Sequence, residues 1–584
     1  MKKSLLLMVF AAVSVLAADE INPLLQQEIE EPLNAGQRTS LKLMLRTGRF
    51  SVTEPLVQPA AKPLPSDSDR KQGFIIFSRS IMRVVNYNTI PEPAELNPKE
   101  ISAVCCPGEY ESLAFGLLPL ENSKVTVRLP ELKDASGNVL PAACFQVRPV
   151  KYMVKSILHG ILQATPEMMP KENPVTIYSG VTRNVWLYVD VPENQTAGVY
   201  SGEISLKAEG REEAKLGVRI EVLPFRLISN PNMSFGWYRS PVDDIGVADY
   251  KRHGCSNFAL AEPKLLKASV ASASLDFSRL DAELEIIKKH GLGDGGVFTI
   301  GAIGFANKII NDFGQKEFSP GFNSAYKNVL SAVRDWAAAR KIRLIFWLLD
   351  EPRESMIAAW NRNLADTLAY AKLAKEVEGI RTEIDVMRDK DEGKDYTAMI
   401  PLLDICAPHA SQHCQGLIAK TKELGKELWL YNSGRTRFSF GFLSWKHGAA
   451  ARLEWAYACG WNRNTSRDFT TWSTSRGGDP ACGINYPSEG ENIPTQYYEW
   501  TKQGIDDYKY VYTLEQEILS AAKGSAPAAR EAENAQRMLE NIKAGCPEYS
   551  KSTDLGGKEQ TDMAVSAWRK QIIEVIEKLR GFSR

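Results

Sequence analysis

The chain has 584 residues, and its 71 basic and 71 acidic side chains cancel. This balance argues against a nucleic-acid or membrane-surface partner, because both attract an excess of positive charge. With 44% hydrophobic and 24% charged residues, the composition is that of a globular protein. At roughly 150 residues per domain the length predicts two to four domains, and a chain disordered throughout is excluded.

The amino terminus has the layout of a secretory signal. Lys2 and Lys3 precede an apolar run that ends at Leu16, and small residues follow it as a cleavage site. The run is too short to cross a bilayer core of about 30 Å, which takes roughly 20 apolar residues. The strongest later apolar segment, Leu344–Leu349, has only the length of a strand. We therefore predict a signal peptide over residues 1–17, no membrane span, and an exported protein, either periplasmic or secreted.

The part that follows the signal divides into two predicted regions. Residues 18–72 mix a short helical pattern with a stretch rich in Pro and Ser, which we interpret as an extension and linker. Residues 73–230 contain short runs rich in Val, Ile and Tyr without a long helix between them, which is typical of a β-sandwich. The strands predicted there are Phe74–Phe77, Lys124–Leu129, Asn184–Val191, Glu203–Lys207 and Leu216–Val222.

Residues 231–520 change to strand-like segments that alternate with helical patterns. Eight such repeats in this length predict an α/β fold of the (β/α)₈ TIM-barrel type, and an open doubly wound sheet stays as the alternative. Residues 521–584 predict amphipathic helices around 531–542 and 563–579 that pack onto the larger body. The predicted barrel strands are Ser234–Tyr238, Asn257–Ala261, Gly296–Ile300, Arg343–Leu349, Arg381–Val386, Leu402–Cys406, Glu427–Tyr431 and Arg452–Tyr457.

The active site of such a barrel lies at the carboxyl ends of its strands. The predicted fourth strand runs directly into Asp350, Glu351 and Pro352. Two adjacent carboxylates at the mouth can face one reacting bond from different directions. An acid followed by proline is also a favoured helix start, so the residues alone leave both interpretations open.

Aromatic residues near the predicted strand ends favour a sugar site, because sugar rings lay their apolar C–H faces on aromatic planes. Each aromatic residue taken singly is also compatible with core packing, and Trp429 is expected to face the outer helices. These residues are Trp237, Tyr238, Trp429, Tyr431, Trp455 and Tyr457, followed by Trp461 and Trp472 in a long loop.

The sequence has one dense cluster of residues of the types that bind zinc, namely Cys406, His409, His413 and Cys414. Their spacing matches no standard zinc site, and nine cysteines in a chain this long do not indicate a disulfide scaffold. We predict neither a metal nor another cofactor.

Five motifs stand out in the sequence: Leu349–Pro352, Gly483–Pro487, Gly504–Tyr508, Trp186–Pro192 and Ala197–Gly202. Together they give the chain a resemblance to glycoside hydrolase family 123, the β-N-acetylgalactosaminidases, and to their wider uncharacterised relatives. The resemblance runs from about Phe74 to Leu514, through the predicted sandwich and barrel. The chain departs from the family pattern after Pro494, where the family commonly has an arginine and this chain has Thr495–Trp500, and this difference bears on the sugar more than on the reaction type.

The resemblance implies substrate-assisted, retaining hydrolysis of β-linked N-acetylgalactosamine through an oxazoline intermediate. By position, Glu351 matches the general acid and base, and Asp350 matches the residue that holds the 2-acetamido group. We expect the negative charge of Asp350 to keep Glu351 protonated near neutral pH. The other expected substrate contacts are Tyr431 to the acetamido carbonyl, Trp455 under the sugar, the aromatic residues Trp237, Tyr238, Trp461 and Trp472, and the polar residues Asn432, Arg435 and Arg437.

Two other functions stay open at this point. A relative of the same superfamily that cleaves a sugar without an acetamido group would leave Asp350 without its expected partner. A non-catalytic glycan-binding protein is the third possibility, although a buried acid pair is costly for a protein that only binds. In each case the partner is a glycan, and the oligomeric state is not predicted.

Overall fold

The computed structural model describes residues 51–55, 57, 60–158, 161–293, 295–355, 360–457, 483–488, 490–549 and 558–582, together with Ile29. The predicted signal peptide and most of the predicted extension lie outside these ranges. Within them, no helix is both long and apolar enough to cross a bilayer.

Two packed sheets and a separate three-stranded sheet form the amino-terminal part of the fold. The antiparallel four-stranded sheet has the order Phe74–Phe77, Tyr110–Pro119, Arg183–Asp190 and Phe145–Pro149. The larger sheet has the order Val175–Ile177, Ser123–Arg128, Gly198–Ala208, Glu213–Val222 and Glu100–Cys105, with the short strands Leu132–Lys133 and Val139–Leu140 beside it. Lys151–Leu158 and Ile161–Met168 pair as a hairpin, which Ser51–Thr53 extends.

The two sheets share one hydrophobic core. Phe115 and Leu187 of the four-stranded sheet join the same buried cluster as Ile204 and Val218 of the larger sheet. Strand Glu213–Val222 alternates between buried and more exposed residues, as a strand with one wetted face does. Tyr110–Pro119 is buried along its whole length, because its other face is also covered by protein.

Eight parallel strands close into a barrel, so the open-sheet alternative is wrong. Neighbouring strands pair in chain order, and the eighth pairs with the first to complete the ring. The barrel strands, one to eight, are Ser234–Trp237, Asn257–Leu260, Val297–Gly301, Arg343–Asp350, Thr382–Val386, Ile405–Pro408, Glu427–Tyr431 and Ala451–Glu454.

Helices cover the outside of the barrel, and further helices continue to the carboxyl end. Leu430 of strand seven points outward into the core beneath these helices, whereas Trp429 and Tyr431 point into the barrel interior. The expectation that Trp429 faces the outer helices is therefore wrong, because a period of two places it on the same side as Tyr431. The principal helices are Asp244–Arg252, Ser278–Lys289, Ala302–Asn311, Pro320–Ala339, Leu364–Lys375, Gln415–Glu423, Gln496–Ala521, Ala526–Gly545 and Lys558–Gly581.

A buried polar network joins three parts of the chain around helix Gln496–Ala521. Asp507 on this helix accepts hydrogen bonds from Arg437, at 2.6 and 2.9 Å, and from Arg569 of the last helix. Arg569 also donates to Glu111 of the four-stranded sheet at 3.1 Å. The carboxyl-terminal helix is thereby tied to both the sheets and the barrel.

Candidate active site

A β-bulge in barrel strand four turns Asp350 into the barrel. Ile345 lies in the interior cluster, and Leu348 and Leu349 both lie in the outer core. The register against strand five shifts between Trp347 and Leu349. Without this shift the alternation along the strand would turn Asp350 outward. The bulge therefore aligns Asp350 with Asp385 of strand five, and both are inward-facing.

The backbone at Glu351 is left-handed, with a φ of 45°. Its N–H donates to the carbonyl of Asp385 at 3.1 Å, which fixes the turn. Arg239 after strand one and Asn432 after strand seven have the same unusual backbone, with φ of 57° and 40°. Such conformations are sparsely populated in residues other than glycine and concentrate at functional sites. Their occurrence after three barrel strands marks this rim as the candidate active site.

The Glu351 carboxylate has two partners at the rim. Arg353 donates to Oε2 at 2.6 Å and forms an ion pair with it. The hydroxyl of Tyr431, at the end of strand seven, donates to Oε1 at 3.2 Å. Tyr431 is 1% exposed, and its ring centroid lies 4.6 Å from that of His409. Strands four and seven are thus connected through Glu351.

The surroundings of Asp350 raise the pKa of its carboxyl. Burial, followed by the charge of Glu351, raises this pKa to about 7, against the opposing effect of Arg353. We expected the repulsion between the two neighbours to act on Glu351. The structure shows it acting on Asp350, which faces the barrel interior.

Two further acids, Glu383 and Asp385, lie inside the barrel on strand five, and the sequence analysis missed them. Both are 1% exposed. Tyr238 donates to Asp385 Oδ2 at 2.6 Å. Burial, with a smaller contribution from the charge of Asp350, raises the pKa of Glu383 to about 8. Burial and the charges of Glu383 and Asp350 raise the pKa of Asp385 well above its usual value. The signal in the sequence was the pair of acids at alternate positions of a predicted strand. The structure buries all five residues of that strand.

Glu383 is expected to lower the stability of the fold as the pH rises. In the unfolded chain its carboxyl ionises above about pH 4.5, whereas in the folded protein it stays neutral up to about pH 8. The unfolded state therefore binds fewer protons in this window, and the stability falls by at most about 1.4 kcal/mol per pH unit. We expect Glu383→Gln to be more stable than the wild type, with a difference that grows from pH 5 to pH 8.

Urea unfolding of both proteins at pH 5, 6.5 and 8 measures this difference. Exposed Glu203→Gln serves as the control, since its side chain is 59% exposed and the difference there should not vary with pH. A Glu383→Gln difference that stays constant across the window would contradict the prediction.

Aromatic residues surround the acid pair at the mouth. The ring of Tyr238 lies 5.5 Å from that of Trp347 and 6.4 Å from that of Trp455, measured between centroids. The Arg239 guanidinium stands 4.6 Å from the centre of the half-buried Trp455 ring. Tyr238, Trp455 and Tyr431 therefore lie near the acids as expected, and Trp347 is an addition. We name the set Tyr238, Trp347 and Trp455 the aromatic wall.

Other predicted substrate contacts lie elsewhere or bind backbone. Trp237 is 0% exposed and stacks on Phe440 at 5.4 Å in the outer core, so it does not reach the mouth. Arg437 is also buried, in the network with Asp507 described above. Asn432 and Arg435 do lie at the rim, where both hold the backbone of Trp455: Asn432 Oδ1 accepts from its N–H at 2.9 Å and Arg435 donates to its carbonyl.

Two expected contacts, Trp461 and Trp472, lie outside the described residues. Of the Cys406, His409, His413 and Cys414 set, Cys406 and Cys414 are buried free thiols. Across the described part of the chain, no group of three or more His, Cys, Asp or Glu side chains is arranged to hold a metal ion. The Cys414 thiol instead donates to the backbone carbonyl of Met387 at 3.0 Å.

A family model and a solved structure support the resemblance that the sequence motifs indicate. The family model described as "Glycoside hydrolase 123 N-terminal domain" matches residues 119–208, within the two-sheet part. A solved family 123 glycoside hydrolase from Clostridium perfringens, described for glycolipid glycan hydrolysis, is similar in fold with a TM-score of 0.66 at 14% identity. The match covers 88% of this chain and 100% of that one.

Other matches are too distant to carry an argument. A Bacteroidetes-affiliated family 5 cellulase reaches a TM-score of 0.32 at 10% identity, with 55% of this chain and 97% of that one covered. A family 5 xyloglucanase from Bacteroides ovatus reaches 0.28 at 8% identity, with 70% and 99% covered. No curated protein matches the chain. The resemblance to glycoside hydrolase family 123 is confirmed by the family model and the fold together, and these two findings support a glycosidase.

Proposed function

We propose that this chain, similar to glycoside hydrolase family 123 in its amino-terminal domain and its fold, is an exported hydrolase that releases β-linked N-acetylgalactosamine from glycans. The observation that carries the proposal is the acid pair: the bulge directs Asp350 inward and the left-handed turn at Glu351 follows it directly, beside the aromatic wall. Two carboxyl groups with different surroundings are suited to two different roles.

Asp350 is proposed to hold the acetamido group of the substrate. When the substrate N–H reaches this carboxyl, a hydrogen bond to the ionised form favours loss of the proton that the free protein carries there. The ionised Asp350 then directs the acetamido carbonyl oxygen at the anomeric carbon, and this intramolecular attack needs little further ordering. Tyr431 is proposed to donate to the same carbonyl oxygen from its position beside the pair.

Glu351 is proposed to transfer the protons. It donates one to the leaving oxygen as the glycosidic C–O bond breaks and the acetamido oxygen bonds to the anomeric carbon. It then takes a proton from the water that opens the oxazoline, and the configuration is retained. Glu351 is ion-paired with Arg353 in the free protein, so the substrate must separate this pair before the carboxyl can donate a proton.

A panel of nitrophenyl glycosides, with a thiazoline analogue of the oxazoline as inhibitor, tests the proposal. We expect turnover of the β-N-acetylgalactosaminide and strong competitive inhibition by the thiazoline. Turnover of a glycoside without an acetamido group, insensitive to the thiazoline, would instead identify a relative with a different nucleophile. Binding of glycans with no product on any substrate would identify a binding protein.

We propose that the two sheets form a β-sandwich domain over about residues 73–230, followed by the catalytic barrel over 231–520 and helices over 521–584. Residues 1–17 are proposed to direct export. Amino-terminal sequencing of protein recovered from the periplasm or medium tests this proposal, and we expect the mature chain to start at or near Ala18.

A further inference from the structure

The acids on strand five form a second layer of carboxyl groups within the barrel. Asp385 is aligned with Asp350 across the parallel pair, and Glu383 lies two residues closer to the amino end of the same strand. Both side chains point inward, and no donor group within the described ranges reaches Asp385 Oδ1 or Glu383 Oε1. At these two oxygens the carboxyls can hydrogen-bond only each other, and such a bond requires a proton on at least one of them. Buried carboxylate oxygens without a donor are expensive, so this layer calls for a physical explanation.

Among the described residues, no lysine, arginine or histidine forms an ion pair with Asp385 or Glu383, so no counter-ion balances either acid. The groups that face them are Asp350 on strand four, Tyr238 on strand one and Tyr431 on strand seven, with Glu351 and its counter-ion Arg353 at the rim. The Cys406 thiol lies on the outer side of strand six. Three inward carboxylates so close together cannot all be ionised.

Asp385 also anchors the aromatic wall. Its Oδ2 accepts the hydroxyl proton of Tyr238 at 2.6 Å, and the ring of Tyr238 packs between Trp347 and Trp455. Burial and the neighbouring acids raise the pKa of Tyr238 well above its usual value, so this hydroxyl is a hydrogen-bond donor at every working pH. A carboxyl carbonyl oxygen accepts this bond without itself being charged.

We propose that Asp385 and Glu383 are positioning residues that act in the uncharged state. Asp385 holds Tyr238 in the aromatic wall, and the two neutral carboxyls leave Asp350 as the inward acid that ionises when substrate binds. This inference rests on the proposed function for its catalytic consequence, but the neutral state of the two acids is a property of the free protein.

Paired substitutions distinguish charge from shape in the proposed reaction. Asp385→Asn keeps an acceptor oxygen for Tyr238 and reproduces a neutral carboxyl, so we expect kcat/KM within about threefold of the wild type, and an acidic limb of the pH profile that does not move. Asp385→Leu removes the acceptor, and we expect kcat to fall at least tenfold. Glu383→Gln should behave like Asp385→Asn, because it also preserves a neutral polar group.

Two results would overturn the proposal. One is a loss of activity in Asp385→Asn as large as in Asp385→Leu, which would mean that the carboxylate charge is used. The other is an acidic limb that moves down by one pH unit or more in Asp385→Asn or Glu383→Gln, which would mean that an ionised neighbour had been raising the pKa of Asp350.

Infrared difference spectroscopy of the free protein tests the neutral state without reference to activity. At pH 7 the wild type should show the carbonyl band of protonated carboxyls, and part of the band should disappear in Asp385→Asn and in Glu383→Gln. A band unchanged in both variants would overturn the inference, even if the protein hydrolyses its substrate. If the bands behave as expected and no glycoside is cleaved, the proposed function fails while the neutral layer stands.

Discussion

Glu351→Gln is expected to lower kcat/KM for an N-acetylgalactosaminide by roughly 10²–10⁴-fold, which is the usual contribution of a positioned general acid and base. Glutamine keeps the size of the side chain and can still accept the hydrogen bond that Tyr431 donates at 3.2 Å. It cannot give a proton to the leaving oxygen or take one from water. Steady-state kinetics with a nitrophenyl and a dinitrophenyl substrate measure the two steps separately.

The leaving group provides the internal control for Glu351. A dinitrophenolate departs with little help from an acid, so the first step should lose much less in Glu351→Gln and the second step should become rate-limiting. Added azide, a nucleophile that needs no base, should then restore turnover and give a β-glycosyl azide. Equal losses on both substrates, with no azide product, would assign the proton transfer to another residue.

Asp350→Asn is the matched variant for the other acid. Asparagine keeps an acceptor oxygen for the substrate N–H but carries no negative charge to polarise the acetamido group as its oxygen attacks the anomeric carbon. We therefore expect a comparable loss with both leaving groups and no rescue by azide. In the wild type, kcat/KM should rise with pH through about 7, because the fraction of ionised Asp350 rises there. A wild-type profile that is flat between pH 5.5 and 8 would contradict this role for Asp350.

The fold was largely predictable because its signals are local and repeated. All eight barrel strands lie within a few residues of the predicted segments, and strand seven, Glu427–Tyr431, has the predicted bounds. Strand Tyr110–Pro119 was missed, as were several shorter strands of the amino-terminal sheets. The sequence of Tyr110–Pro119 contains Glu111 and Gly116, residue types that are depleted in strands and weaken the pattern from which strands are predicted. Closure of the barrel was predicted from the number of repeats and could not follow from any one of them.

The candidate site was predictable in part. Asp350 and Glu351 were identified from their position after an apolar strand, but the bulge that turns Asp350 inward depends on pairing with strand five. The acids Glu383 and Asp385 were missed because their importance depends on what lies across the barrel. Trp237 and Arg437 were wrongly grouped with the mouth residues. Trp237 precedes the inward Tyr238, so the alternation along the strand turns it outward onto Phe440. Arg437 lies in a loop whose contact with Asp507, seventy residues later, cannot be read from the sequence.

The motif Gly504–Tyr508 has a structural explanation in the buried network. A Cβ added at Gly504 would lie 2.3 Å from the carbonyl oxygen of Arg437, so the helix approaches this loop more closely than any larger residue allows. Asp507, three residues later, is fully buried between Arg437 and Arg569. The motif therefore joins the barrel to the last helix, and its acids are not expected to contact substrate.

Asp507→Asn is accordingly expected to destabilise the protein by about 3–5 kcal/mol, because it leaves two buried guanidinium groups without their shared counter-ion. Glu111 still accepts from Arg569 at 3.1 Å, which favours the lower end of this range. The shift of the urea midpoint measures the effect. The unfolding should be followed at several wavelengths, because a chain of several domains need not unfold in one step.

The control for Asp507 is Glu203→Gln, whose exposed ion pair with Lys215 should contribute less than about 1 kcal/mol. A loss of similar size in both variants would show that the network around Asp507 does not hold the domains together. Well below its unfolding midpoint, Asp507→Asn should retain wild-type kcat on the chromogenic substrate, because the Asp507 carboxylate binds Arg437 and Arg569 and forms no hydrogen bond with the acid pair. A large loss of kcat in protein that is still folded would instead mean that the Gly504–Tyr508 motif contributes to the reaction. Helix Gln496–Ala521 would then have to fix the geometry of the barrel mouth through Arg437.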